Sequence, residues 1–174
     1  MSWLLIDRDD TILDDPGYLC DPEGLHFLPG AVEGLRRFSE AGWPLVVVTN
    51  QSGIGRGYFG EKDLQLVHRR FCDLLEDQGV SLAGIYHCPH APQEGCDCRK
   101  PQPALGLLAA EELGLDLNDC VMVGDKESDL EMGRRLGCRY VAQIVAKREP
   151  SPLADGHFES LLELGRSLLA NKVG

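Results

Sequence analysis

Trp3-Leu4-Leu5-Ile6-Asp7-Arg8-Asp9-Asp10-Thr11 is a short apolar run that stops abruptly at charge. A run this apolar and this brief reads as a strand buried on both faces, with its C-terminal end opening on solvent. Side chains alternate along an extended backbone, so Asp7 and Asp9 project to the same side and can converge on one cation or one reacting group. Two carboxylates held that close repel each other. Such a pair is better explained by a metal or an incoming phosphate than by a solvated acidic turn.

Working outward, the same kind of run recurs at residues 45–50, 84–88, 120–125 and 140–145, which read as four more strands. Helical periodicity marks residues 31–41, 61–78 and 104–113. A further helix follows Asp125, with Ser128 as its cap, Glu131 completing a capping box and Gly137 as its stop; a closing helix is expected over 157–171. Strands alternating with helices predict an α/β protein, a mainly parallel sheet covered on both faces. Right-handed crossovers then bring every strand's C-terminal end to one edge, gathering Asp7, Asp9, Thr49, Asn50 and Asp125 into one crevice. Residues 12–29, rich in Pro and Gly, read as a loop or small flap over that crevice, and 51–60 as a Gly-rich loop that brings backbone close to a ligand.

The chain has 174 residues, enough for one domain spanning 1–174 with a single core. No apolar run reaches the roughly 20 residues that cross a bilayer. No export signal opens the chain, so a cytoplasmic location is expected. The formal net charge of −11 argues against nucleic acid as a partner. An anionic substrate would have to be received by local cations or a metal. The seven cysteines are odd in number, and a disulfide framework is the weaker reading. Cys20, Cys72, Cys120 and Cys138 are scattered and read as packing residues.

The gathered groups suit phosphoryl transfer. Asp7 would attack phosphorus, and Asp9 would protonate the leaving oxygen and later deprotonate water. Mg2+ would be held by Asp125 with Asp7, and Asp9 is included in its expected ligand set. Thr49 would hold a phosphoryl oxygen, and Lys100 would serve as a fixed cation beside the clustered negative charge. Four residues of a different kind, Cys88-x-His90 and Cys96-x-Cys98, give three thiolates and one imidazole, the ligand set of a closed structural Zn2+ site. That site would staple residues 88–101, a loop without an apolar core, and aim Arg99 and Lys100 into the crevice.

Asp7-x-Asp9-x-Thr11, the strand ending in Thr49, Lys100 and Gly124-Asp125-x-x-x-Asp129 resemble the four motifs of haloacid dehalogenase (HAD) superfamily phosphatases. The text from Val48 to Ile54, and from Cys88 through Pro101, is similar to the branch containing D,D-heptose 1,7-bisphosphate and histidinol-phosphate phosphatases. The resemblance implies a Rossmann-like three-layer sandwich with a minimal cap, Mg2+ dependence and a structural zinc. It also implies a small phosphorylated metabolite as substrate, foremost D-glycero-D-manno-heptose 1,7-bisphosphate converted to the 1-phosphate for lipopolysaccharide biosynthesis. Histidinol phosphate is the alternative, and the short His90-to-Cys96 interval is similar to that branch. The extra cations Arg56 and Lys126 suit a second phosphate and would repel an ammonium. Tyr18, Asn50, Gln51, Ser52, Arg56, Arg99 and Lys126 are the expected substrate-binding residues of a monomeric enzyme. A phosphometabolite-binding domain without turnover is a further alternative. One departure stands out: the family usually has Gly at the position of Asp10, which a side chain makes harder to turn and which adds charge beside the site.

Overall fold

The computed structural model describes residues 1–170. Six strands form one parallel sheet: β1 (Trp3–Ile6), β2 (Leu45–Asn50), β3 (Gly84–Cys88), β4 (Cys120–Gly124), β5 (Tyr140–Ile144) and β6 (Gly156–Phe158). Their order is β3-β2-β1-β4-β5-β6. Five helices connect or close them: α1 (Ala31–Glu40), α2 (Glu61–Glu76), α3 (Ala104–Leu113), α4 (Glu127–Leu136) and α5 (Leu161–Leu169).

The pleat divides the core in two. Leu4 and Ile6 of β1, with Val47 and Val123, face α1, α2 and α5 through Phe38, Val67, Phe71 and Leu164. Leu5, Val46, Val48 and Met122 face the other way, onto Leu105 and Ala109 of α3 and Leu130 and Leu136 of α4. All four residues of β1 are buried, so both of its faces contribute apolar burial. The result is the three-layer arrangement expected of near-continuous apolar strands.

The order reverses between β1 and β4, because β2 and β3 extend to one side of β1 while β4, β5 and β6 extend to the other. The register sets Ile6, the last residue of β1, beside Val47 and Val123, so β4 ends just beyond β1 while β2 runs on through Val48 and Thr49 to Asn50, and all three C-terminal ends open on the same edge of the sheet. A crevice opens where the crossovers diverge.

Two details correct the sequence expectation. The chain from residue 156 first adds a sixth strand, and α5 starts only at Leu161, with the Ser160 hydroxyl accepting from the Glu163 N–H at 3.3 Å. A three-residue strand that buries only Phe158 leaves no periodic trace. The far end of the expected 157–171 helix, Asn171, lies outside the described residues. Second, α4 begins at Glu127, so Ser128 is inside the helix; Lys126 occupies the capping position and its N–H donates to Asp129 at 3.1 Å.

Residues 12–29 fold as a small flap: Leu13 bridges antiparallel to Phe27, and Ile12, Leu13, Leu19 and Leu25 are buried beneath it. The loop after β2 lies flat on the loop after β3. Gly55 makes this possible, since a Cβ there would sit 2.5 Å from the Ala91 nitrogen, and its N–H donates to the Pro89 carbonyl at 2.8 Å.

Candidate active site

Asp7 follows β1 and Asp125 follows β4, both with side chains directed into the buried floor of the crevice. Asp129 joins them from the first turn of α4 by crossing over Gly124, where a Cβ would come within 2.3 Å of the Asp129 Cβ. One oxygen from each of the three acids lies within 4.8 Å of the others. Lys100 projects into this cluster, its ammonium 2.6 Å from Asp7 and 2.7 Å from Asp129, and donates to the Val48 carbonyl at 2.7 Å. Asn50 brackets Lys100, accepting from its N–H at 3.0 Å and donating to its carbonyl at 3.2 Å.

Burial works against the charge on Lys100, but Asp129 and Asp7 outweigh it and hold the amine above its ordinary value. The acids tell the opposite story. Burial first, then Asp129, push Asp7 well above the usual carboxylate range despite Lys100, and the same two causes raise Asp125. The three acids therefore carry more negative charge than Lys100 and Arg148, which pairs with Asp125 at 2.8 Å, together offset, the condition under which a divalent cation binds. Asp125 also keeps a buried oxygen, Oδ1, with no hydrogen-bond partner. Hard oxygen donors with a spare lone pair fit Mg2+.

Asp9 departs from the expected metal set. Its carboxylate accepts from Arg8 Nε at 2.9 Å, Arg8 Nη2 at 3.0 Å and Gln51 Nε2 at 2.9 Å, which engages both of its oxygens, and it lines the crevice outside the three-acid group. Asp129 takes the third carboxylate position instead. Thr49 also departs from expectation: it is fully buried, and its hydroxyl accepts from Gln51 at 2.8 Å behind the crevice wall. Thr11, just after the acids, donates to Asp7 at 3.3 Å.

Arg8 was not legible as a site residue. It is the largest fully buried side chain, and beyond Asp9 it reaches His68 Nε2 at 3.0 Å. A guanidinium only donates, so Nε2 must accept and the imidazole is neutral. Burial, followed by the Arg8 charge, pushes His68 down to about 3. Below its ordinary value of 6.5 the unfolded chain binds a proton that the folded one refuses, so stability is complete above that pH and lost as pH falls from 6.5 toward 3. The loss from this group approaches ~1.4 kcal/mol per pH unit within that window. Chemical denaturation at pH 7 and pH 5 is expected to show a smaller acid loss in His68→Gln, which keeps an acceptor but does not titrate.

The expected substrate residues Tyr18, Asn50, Gln51, Ser52, Arg56, Arg99 and Lys126 all line the crevice, whose volume is about 390 Å3. Arg56 lies over the Tyr18 ring at 5.9 Å, and Tyr58 meets that ring edge-on at 4.8 Å. Arg99 has a buried Nη1 without a hydrogen-bond partner. Asp10 adopts the left-handed backbone (φ +58°) that a glycine would favour, and its charge is answered by Lys147 at 2.6 Å.

Cys88, His90, Cys96 and Cys98 converge as expected, each offering a donor atom within 4.8 Å of the rest. The Cys88 sulfur is 3.5 Å from that of Cys96 and 3.1 Å from that of Cys98, and His90 Nδ1 is 3.2 Å from Cys98. Burial opposes it, yet Cys88 and the Arg99 N–H lower the Cys96 thiol to about 7, whereas burial raises the Cys88 and Cys98 thiols, so a cation would have to displace protons from those two sulfurs to be ligated by all three. Three thiolates and one imidazole fit tetrahedral zinc.

A family model described as HAD-hydrolase-like matches residues 97–154. The D-glycero-beta-D-manno-heptose-1,7-bisphosphate 7-phosphatase of Pseudomonas aeruginosa is 38% identical over 97% of this chain and 98% of its own length. The chain belongs to this family of HAD-like phosphatases. A second HAD-like phosphatase of the same name, from Pasteurella multocida, is 42% identical over 88% of this chain and 85% of its own length. Among solved structures, the D,D-heptose 1,7-bisphosphate phosphatase from B. bronchiseptica, complexed with magnesium and phosphate, superposes with a TM-score of 0.87 at 29% identity, covering 98% of this chain and 99% of that one. As a member of the family, this chain is a phosphoric monoester hydrolase with the HAD Rossmann-like fold. No helix among the described residues is long and apolar enough to cross a membrane.

Proposed function

We propose that this phosphatase acts on D-glycero-D-manno-heptose 1,7-bisphosphate, releasing the 7-phosphate with Mg2+ and passing through a phosphoryl-Asp7 intermediate. The observation that carries the reading is the meeting of Asp7, Asp125 and Asp129 around Lys100 at the switch point of the sheet. In this reading Asp7 attacks phosphorus and the P–O bond to the sugar breaks. Asp9, held in the crevice by Arg8 and Gln51, gives the leaving oxygen its proton and then takes one from the water that hydrolyses the acyl phosphate. Lys100 and the N–H groups of the turn after Thr49 meet the charge on the phosphoryl oxygens. Asp7, Asp125 and Asp129 would hold Mg2+, which supplies Lewis-acid stabilisation of that charge.

The printed names of the relatives support the substrate, as do three cations, Arg56, Arg99 and Lys126, spaced along the crevice where a second phosphate would lie. The same cations disfavour the ammonium of histidinol phosphate. Free thiols at Cys88, Cys96 and Cys98 suit a reducing compartment, in keeping with a cytoplasmic enzyme.

Phosphate release with Mg2+ over a panel of phosphosugars and histidinol phosphate tests the proposal. The heptose bisphosphate is expected to be preferred, and a preference for histidinol phosphate overturns the substrate assignment. Mg2+ should also stabilise the fold, because it binds the surplus negative charge of the native cluster and not the unfolded chain. At a hundredfold excess over its dissociation constant the gain is about 2.7 kcal/mol, a rise in Tm of about 5–10 °C. A melting curve indifferent to Mg2+ would count against the three-acid site.

A further inference from the structure

The loop after β5 enters the site from the side opposite the zinc loop. It is not a loose surface excursion: buried Gln143 donates to the Asp125 and Glu149 carbonyls, each at 3.1 Å, and accepts from the Ser151 N–H at 2.8 Å. So held, the loop delivers Arg148 to the metal-binding acids. Its Nε donates to Asp125 Oδ2 at 2.8 Å, while its Nη2 lies 3.7 Å from Asp10. Asp10 is fixed in turn by Lys147, which also pairs with Asp14. The residue at the position where a glycine is usual thus forms the far end of a brace that runs through Arg148 to Asp125.

The two oxygens of Asp125 are treated differently. Oδ2 is taken by Arg148, and Oδ1 is buried without a partner. We propose that Arg148, braced by Asp10, is a positioning residue that restricts Asp125 to one-oxygen ligation and thereby makes the site select Mg2+ over Ca2+. Mg2+ demands near-octahedral geometry with short bonds, which one oxygen per carboxylate satisfies. Ca2+ is larger, takes more ligands and readily accepts both oxygens of a carboxylate. An oxygen already engaged by a guanidinium is a poor additional ligand, so Arg148 removes the option that Ca2+ would use. The inference rests on the magnesium reading above and gives the Asp10 substitution a role in it.

Calorimetric titration of the zinc-loaded protein with Mg2+ and, separately, Ca2+ tests it without recourse to turnover. Arg148→Met is expected to shift the ratio of the two dissociation constants about tenfold toward Ca2+. Asp10→Gly, which removes the brace but leaves Arg148, should shift it in the same direction by about threefold. Arg148→Lys keeps a donor for Oδ2 and should restore most of the native ratio. Both titrations use the same preparation, so any loss of folded protein cancels from the ratio. Constants that weaken or strengthen in parallel in Arg148→Met, leaving the ratio unchanged, overturn the inference alone. A native protein that binds Ca2+ but takes up no Mg2+ overturns the magnesium reading and the inference with it.

Discussion

Asp7→Asn is expected to lower the rate of phosphate release by a factor on the order of 10^4 or more, while the melting temperature stays level or rises. The two halves of this expectation have one cause. Asp7 is the carboxylate nearest Lys100, and it is buried with Asp129 and Asp125 close enough to raise its pKa well above the ordinary range. An ionised group so placed costs the native state free energy, and an amide of the same shape removes that cost: its carbonyl oxygen still accepts from Lys100, and its NH2, standing where the other oxygen was, can donate to the Thr11 hydroxyl. As a nucleophile the amide is ineffective. Rate and stability should therefore part company, as they would not if Asp7 served only the fold. Acid quenching during turnover, followed by peptide mapping, should find phosphate on Asp7 in the native protein and none in the variant. A residual rate within tenfold of native, or an acyl phosphate on Asp9 instead, would overturn the covalent route.

The parts of this site that sequence made legible are those in which one element speaks for itself. An apolar run ending in acids needs no knowledge of its neighbours, so Asp7, Asp9 and Asp125 could be assigned to strand ends and gathered by the handedness of the crossovers. The cysteine spacing was likewise a local signal, and its four residues do converge. What escaped was made between elements. Arg8 lies inside the quoted stretch, yet its burial depends on His68 from α2, a partner sixty residues away. Asp129 was legible only as the last residue of a motif, and its place in the three-acid cluster depends on Gly124 leaving room for it. The short strand β6 escaped for a different reason. Three residues with one buried side chain carry no period, and only the edge of β5 defines them as a strand. Asp10 was legible as a departure but not as a solution, since Lys147 and Arg148 reach it only across the sheet edge.

Cys96→Ser should release the zinc and lower kcat by about 10- to 100-fold without abolishing it. The size follows from what else holds Lys100. The lysine belongs to a loop whose only regular structure between β3 and α3 is one turn at Pro92–Glu94, so the four metal donors supply the fixing that a core would supply elsewhere. Asn50 is a second support, clasping the Lys100 backbone from β2 through both its N–H and its carbonyl. With the zinc gone, Asn50 should still keep the ammonium near Asp7 for part of the time. Arg99 has no such clasp, so KM for a doubly phosphorylated substrate should rise along with the loss in kcat. Combining Cys96→Ser with Asn50→Ala removes both supports of Lys100 and is expected to cost more than the product of the single losses. The melting temperature of the single variant should fall by about 4–8 °C, the equivalent of ~2 kcal/mol in a chain of this size. Metal analysis reads the first step directly, and hydrogen exchange over residues 89–103 reads the second. A variant that retains full zinc content, or one that loses zinc while exchange in that loop stays slow, would show that the staple does not hold the lysine, and Asn50 together with Asp7, Asp129 and the Val48 carbonyl would then have to account for its position.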